Sequence, residues 1–98
     1  MARKIIKGEK RLIGQQVIHR EGDEFEIEGA PQYRLLDYAG EEIESGNCNI
    51  EEKKVYFLLD TTQEKIEPGK DYRAVFTVEI SDMDKVLKGV TTIKVRSP

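Results

Sequence analysis

Ile66-Glu67-Pro68-Gly69-Lys70-Asp71-Tyr72 leads directly into Arg73-Ala74-Val75-Phe76-Thr77-Val78-Glu79-Ile80. An apolar anchor, a Pro-Gly turn and a tyrosine thus precede a long alternating run. Pro presets φ for the first central position of a turn, and Gly supplies the positive φ that follows it. The period of two beyond Tyr72 is that of a half-buried strand. Tyr72, Ala74, Phe76, Val78 and Ile80 point one way, and Arg73, Val75, Thr77 and Glu79 the other. A tyrosine placed this way folds back so that its hydroxyl bonds the backbone a few residues upstream.

Outward from this stretch the period of two persists. Residues 71–81 and 85–96 read as a long hairpin around the cluster Ser81-Asp82-Met83-Asp84, with Leu87, Gly89, Thr91, Ile93 and Val95 sharing a face. Residues 53–60 are rich in strand formers. Residues 32–38 give another strand, closed by a turn at Tyr38-Ala39-Gly40-Glu41, and a short acidic strand follows over 42–45. Gly46-Asn47-Cys48-Asn49 is expected to interrupt it with a loop or bulge. Residues 23–28 alternate strictly, Phe25 and Ile27 inward. Residues 11–19 give an opening strand whose inward face is unsettled among Leu12, Ile13, Val17 and Ile18. One helical turn at most is expected, at 61–65. About seven antiparallel strands at spacings of roughly ten residues imply an all-β sandwich.

The motif Ile66-x-Pro68-x-x-x-Tyr72 resembles the tyrosine-corner signature of fibronectin type III domains. The resemblance covers residues 53–96, and the first half by strand count only. It departs in having no tryptophan and no proline-rich opening. It implies an Ig-like, fibronectin III-like Greek-key β-sandwich. Asp37-Tyr38-Ala39-Gly40, Pro68-Gly69, Tyr72 and Phe76 are also similar in layout to Ig-like accessory modules of phage and prophage structural genes. That second resemblance implies a structural part that docks on a larger assembly.

The 98 residues suit one domain. Residues 1–8 are expected to form a flexible basic arm and 9–98 the sandwich. One cysteine, Cys48, allows no intrachain disulfide. No apolar run has the length of a signal peptide or of a membrane span. The chain is therefore expected to be cytoplasmic as synthesised, and the phage resemblance adds virion association.

The net charge of −3 is unevenly spread. Residues 1–20 hold six bases against one acid, net +5, and residues 21–52 hold eleven acids against one base, net −10. Residues 53–98 hold nine bases against seven acids, net +2. Solvated strand faces, with the basic tail folded back on the acidic middle, are the favoured reading. A dipolar module serving two partners is the other.

Few residues suggest chemistry. His19 has no nucleophile motif beside it, and Cys48 reads as a plain loop thiol. Asp82-x-Asp84 starts like a calcium loop, but the sixth position is Leu87 where glycine is needed. Glu41, Glu42 and Glu44 read as a surface face, with weak binding of a hard cation as the alternative. Gly29-Ala30-Pro31 precedes a strand, not a phosphate-binding helix. Arg3, Lys4, Lys7, Lys10 and Arg11 offer phosphate contacts but lack interleaved aromatics, so nucleic acid is not the favoured partner. No cofactor or metal is expected. Surface recognition remains: outward Val75 with Val86 or Val90 as an apolar patch, and Arg3, Lys4 and Lys7 as a basic one. The expected function is a non-catalytic module with a protein partner or a second copy of itself. A divalent-metal or enzymatic domain using the acidic middle, or a nucleic-acid protein using the arm, are the alternatives.

Overall fold

A computed structural model describes residues 2–17, 26–80 and 86–98. They form eight strands and no helix: β1 (Ala2–Ile6), β2 (Lys10–Gln16), β3 (Ile27–Leu36), β4 (Glu42–Asn47), β5 (Asn49–Glu51), β6 (Lys54–Asp60), β7 (Asp71–Ile80) and β8 (Val86–Arg96). A five-stranded sheet runs β1-β8-β7-β3-β4 and a three-stranded sheet runs β2-β6-β5. Every pairing is antiparallel except β1 with β8, which is parallel.

Alternation decides which side of each strand is buried. Tyr72, Ala74, Phe76, Val78 and Ile80 of β7 join Ile93 and Val95 of β8 and Leu35 of β3 in the core. Ile13 of β2 and Val55, Phe57 and Leu59 of β6 enter it from the smaller sheet. The ring of Phe57 bridges the two layers. It stacks on Tyr33 of β3 at 3.8 Å between centroids, with planes 4° apart, and meets Phe76 of β7 at 5.7 Å. The two sheets therefore pack face to face around one apolar layer.

Three departures from the sequence expectations have physical causes. Ala2–Ile6, within the arm expected over residues 1–8, form a strand: Ile5 lies opposite Val95 and is 2% exposed, so its burial sets the place of β1 at the sheet edge. Ile27 and Glu28, from the strand expected at 23–28, are continuous in β3 with the one expected at 32–38, and the register with β7 shifts between Glu28 and Gln32 around Gly29 (φ 65°). The expected interruption at 46–49 narrows to Cys48, where the chain leaves β4 and enters β5 in the other sheet. These changes make eight strands of the expected seven. Residues 61–65 form turns instead of a helical turn.

Candidate interaction surfaces

The stretch around Tyr72 folds as a corner held from several sides. The Tyr72 hydroxyl accepts the backbone N–H of Glu67 at 2.8 Å. Gly69 (φ 84°) donates its N–H to the carbonyl of Val95, and Val95 donates to the carbonyl of Lys70. The loop before the corner rests on β1: Lys7 Nζ donates to the carbonyls of Gln63 (2.7 Å) and Ile66 (2.5 Å). Thr61, fully buried, accepts the N–H of Gly8 and donates to the carbonyl of Glu9 at 2.6 Å. Lys7, expected as a contact for a partner, serves these internal carbonyls in the fold.

The valines fare differently. Val75 on β7 lies directly opposite Val90 on β8, both on the outer face of the five-stranded sheet. Val86 lies on the same face, opposite Glu79. Val86 is 52% exposed and Val90 55%, so their burial by another surface would be favourable. Arg34 sits opposite Val75 from β3 and is paired with Glu42 at 2.8 Å. Of the expected basic contacts, Lys4 is exposed opposite Lys94. Arg3 reaches a shallow depression of about 200 Å³ that it lines with Leu12, Gly14, Glu51, Lys54 and Tyr56.

A second apolar pair was not foreseen. Leu12 on β2 faces Leu58 on β6, 56% and 54% exposed, on the outer face of the smaller sheet. The signal was present: with Val55, Phe57 and Leu59 inward, Leu58 must point out.

The other sequence candidates do not converge. Glu42 pairs with Arg34, and Glu44 accepts from the Tyr33 hydroxyl (2.8 Å) and the Gln63 amide (3.1 Å). Among the described residues no group of three or more His, Cys, Asp or Glu side chains is placed to hold a metal ion. Cys48 is half-buried, and burial pushes its thiol up to about 11. The turn at Asp37 is built as expected, its carboxylate accepting the N–H groups of Ala39 and Glu41 at 2.9 Å each. His19, Phe25 and the Asp82–Asp84 pair lie outside the described residues. Among the described residues no helix is long and apolar enough to cross a membrane.

In comparison with known proteins, no family model, no curated protein and no solved structure matches the chain.

Proposed function

We propose that the chain is a non-catalytic structural or interaction module with an Ig-like, fibronectin III-like Greek-key fold. In biological terms it is an accessory part, of phage or prophage type, that docks on a larger assembly. The fold reading is supported by the Tyr72–Glu67 bond and by the way successive strands alternate between sheets: β2 to β3, β4 to β5 and β6 to β7 all cross from one to the other. The observation that carries the interaction reading is the Val75–Val90 pair, a cross-strand apolar contact on an open sheet face.

The test is affinity capture from the source cells, with Val75→Lys/Val90→Lys as the matched control. A stoichiometric partner lost with the double variant supports the reading. A melting temperature raised by several degrees with millimolar calcium or manganese would favour a metal-binding domain that uses the acidic middle. A DNA shift at physiological salt, lost on substitution of Arg3, Lys4 and Lys10, would favour a nucleic-acid protein. Substitution is needed there because β1 is part of the sheet and its deletion would expose the core.

A further inference from the structure

Charge that is uneven along the sequence becomes uneven across the sheet. β1 and β8 carry Arg3, Lys4, Lys88, Lys94 and Arg96 and no acid. β4 carries Glu42 and Glu44 and no base, with Glu42 paired to Arg34 of the neighbouring β3. β1 forms one edge of the five-stranded sheet and β4 the other, four strand spacings or roughly 19 Å away. Among the described residues β1 thus lies at the sheet edge opposite to β4, while Arg3 lines one depression together with Glu51 of β5. Lys4 lies directly opposite Lys94, and neither forms an ion pair among the described residues. Like charges on neighbouring strands repel, and an acidic neighbour would relieve that repulsion.

Among the described residues neither edge has a neighbouring strand, although at the end of β1 the Ile6 N–H is taken by the Glu9 carboxylate and the Ile6 carbonyl by the Glu9 N–H. The two edges match in length, five residues in β1 and six in β4. They match in direction too. β8, β7, β3 and β4 are successively antiparallel and β1 is parallel to β8, so β4 runs opposite to β1. A copy displaced sideways in the sheet plane would present its β4 antiparallel to β1, the more stable kind of ladder.

We propose that the chain associates head to tail: the acidic β4 edge of one copy adds to the basic β1 edge of the next. This rests on the reading of the chain as an interaction module and names a second copy as a partner. The register sets the geometry. Ala2, Thr92, Arg73, Leu36 and Glu42 lie on one row of the sheet, from which β1 and β4 extend in opposite directions. Full overlap therefore offsets successive copies along the strands by about four residues, roughly 13 Å. Such an interface uses two different surfaces and does not terminate unless its rotation closes a ring. Lysines on an edge strand ordinarily discourage pairing. Here they repel another basic edge and admit an acidic one, which confers selectivity.

The experiment is sedimentation velocity on the full chain from micromolar to millimolar concentration, at low and high salt. The mass should rise with concentration past that of a dimer at low salt and return to monomer when salt screens the edges. K4E/K94E should stay monomeric with an unchanged melting temperature, and the milder K4Q/K94Q should be intermediate. Mixed with wild type, K4E/K94E should shorten the assemblies, because its intact β4 edge adds to a growing end and offers no basic edge in return. A monomer at every concentration in low salt would overturn the proposal, as would growth that stops at a dimer or wild-type assembly by K4E/K94E. A monomer that still captures a partner through Val75 and Val90 would overturn head-to-tail association and leave the interaction-module reading standing.

Discussion

The hydroxyl of Tyr72 accepts the backbone N–H of Glu67, five residues upstream, across 2.8 Å. The sequence pattern pointed to a hydroxyl bonded to an upstream backbone group; the structure makes that group a donor, not a carbonyl. Tyr72→Phe keeps the buried ring and leaves the Glu67 N–H without its partner. A loss of about 1–3 kcal/mol is expected, read by denaturant melting. A loss under a few tenths would mean that solvent replaces the hydroxyl at no cost.

Thr61 is the second polar anchor. Its hydroxyl joins the Gly8 N–H to the Glu9 carbonyl with the side chain fully buried. Thr61→Val preserves shape and removes both bonds, so about 2–4 kcal/mol should be lost. Thr61→Ser, which retains the hydroxyl, should recover most of it. Equal losses in the two variants would place the effect in packing instead.

Phe57 connects the layers, so its truncation should be among the most damaging changes. Phe57→Ala removes the partner of both Tyr33 and Phe76, and about 3–5 kcal/mol is expected. Gly46→Ala acts on the same stack from the other side. The added Cβ would lie 3.2 Å from Tyr33 Cε1 and 3.3 Å from its hydroxyl oxygen, so the ring must shift. Chemical melts of the two variants should rank Phe57→Ala well below Gly46→Ala in stability.

Stability should fall at both ends of the pH scale. Burial raises the Cys48 thiol to about 11 and also raises the Tyr33 phenol, to which the Glu44 carboxylate adds. Above about pH 9 the unfolded thiol releases its proton while the folded one retains it, so the unfolded state binds fewer protons and stability declines. At the acid end the signs reverse. The Ile6 N–H lowers Glu9, the Thr62 hydroxyl lowers Asp60 and Lys70 lowers Glu67. These groups contribute above the ordinary carboxylate range and lose that contribution as pH falls through their depressed folded values. Melting temperature against pH should be flat between about pH 5 and pH 9. Cys48→Ser should reduce the alkaline decline, and an unchanged alkaline limb would exclude the thiol as a contributor.

The second half of the fold was legible because alternation within β7 and β8 is regular. In β7 and β8 each inward residue could be named from its neighbour two positions away, and the Pro68-Gly69 turn fixed where β7 begins. The first half was less so. Ile5 looks like part of a basic tail until β8 is known to lie beside it, and nothing local in Ala2–Ile6 reveals a partner some ninety residues away. Leu12 and Ile13 are equally apolar, and only the pairing of Ile13 with Phe57 shows which faces inward. Val75 and Val90 were identified as outward by parity, but their direct opposition depends on the hairpin register. Lys7 reads as a surface charge in sequence, because the carbonyls it serves belong to a loop whose path is set by tertiary packing.

The parallel union of β1 with β8 has a temporal side. β1 leaves the ribosome some ninety residues ahead of β8, so among the described residues this edge ladder has the longest chain between its partners. Contacts of that separation form late and slow folding, because chain closure must precede the gain. Until β8 arrives, a nascent chain displays Ile5 and Ile6 next to Arg3 and Lys4, an apolar and cationic stretch with no place to go. Any chaperone that recognises such segments would meet this protein at β1, and would release it when Ile5 comes to lie beside Val95.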